Sequence, residues 1–364
     1  MKICIGNIFE SRCDVLVNTV NCVGAMGKGI AFEFKKRYPD MFDDYLEKCS
    51  NGLIKPGLPY VYKGKDIMII NFPTKDHWKS PSRKSFIVDG LNWFVDNYKK
   101  LNIKSIAFPP LGCGNGGLKW QEIGPLMFQM LNPLPIDIEI YAPYGTSDKE
   151  LTVEYLSRNV PTYDSYGITN YRINPKWYTI LKVVQELSKR KYSINVGRTI
   201  YQKICYVLTR EGVDTGFIFG KGSYGPYSSQ VKESIVAFAN ANLIIEKNFG
   251  KMVALTVSDN FKFNENSFSK YELQSIAKTV DLFGRVKSTE HAEMIATILF
   301  SYDQLKKTKE TIFDKDIYEY IMNWKPHWNP SRNSFVTNSI HDMAMLSWID
   351  IQYSGSLPDT TNMY

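Results

Sequence analysis

The chain has 364 residues, 44% hydrophobic and 22% charged, the size and composition of a soluble globular protein with two domains. No apolar run approaches the roughly 18 residues of a membrane span, and the first residues carry no apolar core followed by a cleavage site, so a cytoplasmic protein with no membrane partner is expected. Net charge is +7, divided as 19 basic against 16 acidic residues up to Glu150 (+3) and 25 against 21 beyond it (+4). So even a spread fits an anionic substrate but lacks the concentrated basic face of a dedicated nucleic-acid binder.

The first part alternates strand-like and helix-like segments. KICIG and DVLVNTV predict short strands, and GIAFEFKKRYPDMFDDYLEKC predicts a helix broken at Pro39. PYVYKG and DIMIINFP predict a hairpin across KGKD. SFIVDGLNWFVDNYKKL places Phe86, Ile87, Leu91, Phe94 and Val95 on one helical stripe. A buried strand (IKSIAFPPL), a helix (WQEIGPLMFQML) and a last strand (IDIEIYAP) complete an α/β layered domain over 1–145. In such folds functional loops collect at the carboxyl ends of the strands. Residues 146–174 are polar and turn-rich and read as a linker holding at most a short helix. The six cysteines (Cys4, Cys13, Cys22, Cys49, Cys113, Cys205) lack metal or disulfide spacing and read as reduced, packed thiols, and the four histidines are scattered. No metal and no cofactor are expected.

From 175 to 364 the pattern is helical. Two amphipathic helices (KWYTILKVVQELSKR, VGRTIYQKICYVLTREG) precede a Tyr224-Gly225-Pro226-Tyr227-Ser228 turn. A helix from about Ser229 and two strands joined by NFGK follow. Helix, helix, helix, hairpin is the order of a winged-helix unit, followed here by a helical tail rich in aromatics. A DNA-reading helix needs several cations, yet SSQVKESIVAFANAN offers only Lys232.

Two glycine-rich loops, GAMGKG (Gly24 to Gly29) and LGCGNGG (Leu111 to Gly117), each follow a strand and lead into a helix. Loops of this kind present backbone N–H groups to an anion; tight helix–strand packing is the alternative reading. Gly29 stands where a Walker A loop needs Ser or Thr, and the glycine spacing is not that of a dinucleotide fold.

GNIFESRCDVLVNTVNCVGAMGKGIAFEFKKRYP, NFPTKDHWKSPS and PPLGCGNGGLKW, in that order, resemble the macrodomain of DarG-type antitoxins over about residues 1–145. The resemblance implies an enzyme that removes ADP-ribose from a DNA base, expected to be thymidine, on single-stranded DNA. It further implies that the second half binds and neutralises the DarT-like toxin that attaches the ADP-ribose. Asn7 and Ile8 would meet the adenine, and Asn21 the distal ribose. Thr19, Lys28, Gly29, Ile30, Ala31 and Thr74 would line the cleft, and Gly112, Cys113, Gly114, Asn115 and Gly116 would wrap the phosphates. Lys75 in TKDHW would act at the anomeric carbon, by attack or polarisation, with Asn21 as the second catalytic residue positioning the distal ribose and His77 either orienting Lys75 or bonding backbone. The chain departs from the family pattern at Gly6-Asn7-Ile8, where Gly-Asp-Ile is usual, which implies weaker adenine binding. Asn115 cannot supply a proton, so the leaving base must be protonated from elsewhere. Two other classes are a non-catalytic ADP-ribose reader and a DNA-binding regulator with a vestigial macrodomain; turnover separates the first, and a steep salt dependence of duplex binding the second.

Overall fold

The computed structural model describes residues 1–65, 67–158, 173–191, 193–249, 252–328, 332–355 and 357. They fall into two compact units, one of Met1–Arg172 with Lys232–Ile244, the other of Ile173–Val231 with Ile245–Tyr364.

The first unit is built on β1 (Lys2–Cys4), β2 (Val15–Val20), α1 (Gly29–Arg37), α2 (Pro39–Ser50), β3 (Tyr60–Lys63), β4 (Met68–Pro73), α3 (Lys84–Asn97), β5 (Ser105–Phe108), α4 (Trp120–Leu131), β6 (Asp137–Tyr141) and α5 (Val153–Leu156). The six strands form one sheet in the order β1-β6-β5-β2-β4-β3. All neighbours run parallel except β3, which is the antiparallel edge. Side-chain alternation divides the core into two layers. Val15, Val17, Ile70, Phe72, Ile106 and Phe108 face α3 and α4, while Leu16, Ile69 and Ala107 face α1 and α2. A sheet buried on both faces explains why its central strands read as continuous apolar runs. Gly90 lets α3 lie directly on β4, since a Cβ there would stand 2.2 Å from Phe72 Cζ.

Two boundaries differ from the sequence reading. The predicted linker does not begin at 146: Leu156 is completely buried in the α3/α4 layer, and Trp120 Nε1 donates to the Glu150 carbonyl at 3.4 Å. One apolar residue in a polar stretch gives little local signal, but it closes the end of α4. The rest of that linker, 159–172, lies outside the described residues. The second difference concerns α8 (Val231–Asn240), which the sequence assigned to the winged-helix unit; Lys232 onward belongs to the first compact unit.

The second unit contains α6 (Tyr178–Ser188), α7 (Arg198–Arg210), a small antiparallel hairpin of β7 (Gly220–Gly222) and β8 (Gly225–Tyr227), and the β9 (Ile244–Phe249) and β10 (Met252–Val257) pair. Then come α9 (Lys270–Gly284), α10 (Thr289–Leu305), α11 (Asp314–Trp324) and α12 (Asn333–Met345). The helices and the β9–β10 pair occur in the expected order, and the Tyr224–Ser228 turn proves to belong to a second hairpin, β7–β8. The NFGK turn falls partly outside the described residues. Helix α9 opens with a capping box, the Ser269 hydroxyl accepting from the Glu272 N–H and Glu272 accepting from the Ser269 N–H. Helix α10, almost continuously buried from Ala292 to Tyr302, packs against α7, α11 and α12. No helix among the described residues is long and apolar enough to cross a membrane.

Leu156→Ala is expected to lower the stability of the first unit by about 2–5 kcal/mol, the usual cost of an emptied Leu site. Urea unfolding followed by tryptophan fluorescence measures it; an unchanged midpoint would return residues 147–156 to a linker role.

Candidate active site

The carboxyl ends of β2, β4 and β5, adjacent in the sheet, deliver three loops to one place. The β2–β4 register ends at Val20 opposite Pro73, and pairing continues beyond it. Thr74 N–H donates to Val20 O at 3.1 Å and Cys22 N–H to Asp76 O at 2.9 Å. The backbone on either side of Lys75 is therefore held to the β2 loop, which fixes where the lysine leaves the sheet.

The loop after β2 is shaped by Asn21, a buried residue. Its Oδ1 accepts from Val23 N–H (3.0 Å), Ala25 N–H (3.3 Å) and Tyr45 O–H (3.2 Å), and its Nδ2 donates to Ala25 O at 2.6 Å. Tyr45 also donates to the Asn21 carbonyl at 2.8 Å. One Nδ2 hydrogen is left over from this set. The same loop ends at Lys28, the N-cap of α1, whose side chain makes no capping hydrogen bond. Lysine is a poor N-cap, so the first N–H groups of α1, beginning at Gly29, face outward as anion donors. Gly29 sits at φ +62°, a backbone conformation that L side chains rarely adopt.

The loop after β5 folds on itself through Cys113 N–H to Pro110 O (3.1 Å), Gly117 N–H to Gly114 O (3.1 Å) and Leu118 N–H to Gly112 O (3.0 Å). Among the described residues, no backbone acceptor is found for the N–H groups of Gly114 and Asn115. Gly116 cannot carry a side chain, because a Cβ would lie 2.2 Å from Ser82 Oγ and 2.4 Å from Gly112 O. The two glycine loops meet: a Cβ on Gly29 would be 3.1 Å from Asn115 Nδ2. Lys75 Nζ joins them, donating to the Asn115 carbonyl at 3.2 Å. The three motifs thus converge on one group of atoms.

The other predicted residues are placed as follows. Thr74 is buried at the base of the site, and Ile8 and Ala31 are buried in the α1/α2 layer with Ile30 packed against it. Asn7 is exposed, and its Oδ1 caps the Ile8–Glu10 turn through Phe9 N–H at 3.2 Å. Thr19 lies on β2 beside Phe72. His77 Nδ1 accepts from Lys79 N–H at 3.2 Å. The thiols of Cys22 and Cys113 are pushed up to about 12, chiefly by burial, so neither suits a nucleophile at neutral pH. Sequence reasoning passed over three residues. Tyr45 reaches the site from α2. Tyr144, 79% exposed, follows β6, the partner strand of β1 and hence of the Asn7 turn. Trp78, 52% exposed, lies three residues beyond Lys75, with Lys79 Nζ 4.9 Å from its ring centre. An aromatic three positions from a lysine was visible in the sequence, whereas Tyr45 carried no such signal.

The family model for the Macro domain matches residues 17–127. A DNA ADP-ribosyl glycohydrolase of Mycobacterium tuberculosis is 34% identical over 248 residues, 65% of this chain and 66% of that protein. A DNA ADP-ribosyl transferase–DNA ADP-ribosyl glycohydrolase fusion protein of Thermosipho africanus is 41% identical over 157 residues, 38% of this chain and 40% of that protein. The solved macrodomain of Mycobacterium tuberculosis DarG is 44% identical, covering 39% of this chain and 97% of that chain with a TM-score of 0.38. With its mixed sheet between helix layers and the loops converging on Lys75, the N-terminal unit is a macrodomain. The chain is similar to these DNA ADP-ribosyl glycohydrolases and spans just under two thirds of the length of the mycobacterial one.

Gly116→Ala is expected to weaken ADP-ribose binding at least about tenfold, since the loop must shift to admit the methyl group. Calorimetric titration with ADP-ribose measures the effect, and wild-type affinity would show that the loop does not form the site.

Proposed function

We propose that this protein hydrolyses the bond between ADP-ribose and a base of single-stranded DNA, and that the part beyond the macrodomain binds and neutralises the transferase that makes the modification. The observation carrying this reading is the convergence of Lys75 and both glycine loops at the Asn115 carbonyl. The pyrophosphate takes N–H groups from the start of α1 and from Gly114–Asn115, and the adenine lies toward Asn7, Ile8 and Tyr144. Asn21 holds the β2 loop in shape and offers its remaining Nδ2 hydrogen to the distal ribose. Lys75 leaves the Asn115 carbonyl and acts at the anomeric carbon. The base–ribose bond breaks, the bonding pair leaves with the base, and water supplies the new oxygen on the ribose and the proton on the base. Asn115 has no proton to give at neutral pH, so it acts through its backbone. That the Thermosipho relative is named as a fusion of a DNA ADP-ribosyl transferase with a glycohydrolase supports a transferase as partner.

Full-length protein is expected to release ADP-ribose from a modified single-stranded oligonucleotide, and Lys75→Ala to slow this by about 10²-fold or more. Full activity in the alanine variant would remove Lys75 from the chemistry, and binding without turnover in the wild type would favour a reader. Tagged full-length Lys75→Ala is expected to capture a DNA-modifying ADP-ribosyltransferase as well as wild type does, because hydrolysis and capture use different surfaces. Loss of both together would overturn the division of roles.

A further inference from the structure

Helix α8 lies more than a hundred residues beyond the second glycine loop in sequence, yet it packs on that loop within the first unit. Val236 is buried in the α3/α4 core. The Asn240 amide accepts from Lys84 N–H at 2.8 Å and donates to Ser82 O at 3.3 Å, and Arg83 donates to Asn242 Oδ1 at 3.1 Å. Lys119 pairs with Glu233 at 3.3 Å. Gly117, at φ +81°, makes room for the helix: a Cβ there would lie 2.9 Å from Val236 Cγ2 and 3.4 Å from Lys232 Cε. The docked helix brings Lys232 Nζ to 3.5 Å from the Asn115 carbonyl, the oxygen that Lys75 Nζ contacts at 3.2 Å.

The Asn115 carbonyl carries only a partial charge and cannot balance the Lys232 cation, so that ammonium is complementary to an added anion. Lys232 is exposed and, among the described residues, makes no ion pair with a carboxylate. It also occupies the first turn of α8, where a cation opposes the helix dipole. An ordinary solvated lysine gains nothing from that place. An anion-binding lysine does.

We propose that Lys232 binds a phosphate oxyanion of the DNA strand next to the modified nucleotide, making it a specificity-determining residue for polymeric substrate over free ADP-ribose. The inference rests on the proposed function, in which Lys75 faces the anomeric carbon; Lys232, which meets Lys75 at the Asn115 carbonyl, then stands at the end of the second glycine loop where the strand leaves the site. The pyrophosphate itself is the other possible phosphate, and the test separates the two.

Full-length protein carrying Lys75→Ala, so that substrate persists, is titrated by fluorescence anisotropy with a labelled ADP-ribosylated single-stranded oligonucleotide, with and without Lys232→Ala. Wild type and Lys232→Ala are titrated with ADP-ribose by calorimetry. Lys232→Ala is expected to raise Kd for the oligonucleotide about tenfold, as for one lost charge-assisted contact. The slope of log Kd against log salt should fall by about 0.7, the value for one single-strand phosphate. Lys232→Arg should restore most of the affinity, while ADP-ribose Kd stays within about twofold. Equal losses on both ligands would assign Lys232 to the pyrophosphate and overturn the strand contact, as would no change on either. Because the readout is binding, absence of turnover in the wild type would sink the hydrolase reading without touching this one. Failure of the Lys75→Ala protein to bind the oligonucleotide would sink both.

Discussion

The carbonyl of Asn115 is the point around which the candidate site of the macrodomain is organised. It faces Lys75 because the loop behind it is packed without side chains: Gly116 lies so close to Ser82 and to the Gly112 carbonyl that even a methyl group cannot enter. Ser82 then binds that turn from outside, its N–H donating to Gly116 O at 3.0 Å. A hydrogen bond from an ammonium group to a neutral carbonyl contributes roughly 1.5–3 kcal/mol, and less where it is exposed as here. That is enough to hold Lys75 in register without substrate. On the proposed reading, a bound ADP-ribose has only this modest contact to displace at Asn115.

The parts of this arrangement that were legible in the sequence are those whose signal is local. The alternation of Val15, Leu16 and Val17 and of Ile69, Ile70 and Phe72 marks strands, and each glycine cluster sits between a strand and a helix start. Resemblance to the DarG macrodomain then singled out Lys75, whose residue type alone reads as a surface charge. What stayed hidden depends on partners distant in sequence. Asn21 stands in the glycine-loop motif, but nothing near it says that its amide will be turned into its own loop and braced by a tyrosine from α2. Leu156 is one apolar residue in a polar stretch, and its burial is decided by the exposed end of α4. Helix α8 has the correct periodicity for either unit. Val236 and Asn240 settle the matter through contacts with α3 and the second glycine loop, which no window of sequence around them contains.

The second unit shows the same dependence of an ordinary motif on distant support. The Tyr224-Gly225-Pro226-Tyr227-Ser228 turn is a small hairpin with Gly225 at φ +82°, and two buried lysines hold it from beneath. Lys203 Nζ donates to Pro226 O at 2.8 Å, and Lys325 Nζ donates to Ser223 O while pairing with Glu293 at 2.6 Å. Burial pulls the Lys203 ammonium down to about 8, with the Glu293 carboxylate acting against that shift and Lys325 adding to it. Charges placed this deep are costly unless each finds a partner, so the hairpin carbonyls are tightly held and the turn is stiff. On top of this base Tyr224 and Tyr227 are 70% and 53% exposed, while Trp328, from the aromatic-rich tail, is almost completely buried. Trp328 therefore belongs to the core, and the hairpin carries two of the exposed aromatics of the unit, alongside Tyr271 and Tyr353. Tyrosines on a preorganised support lose little entropy on binding and are typical anchors of protein interfaces. This fits the protein partner proposed for this part of the chain.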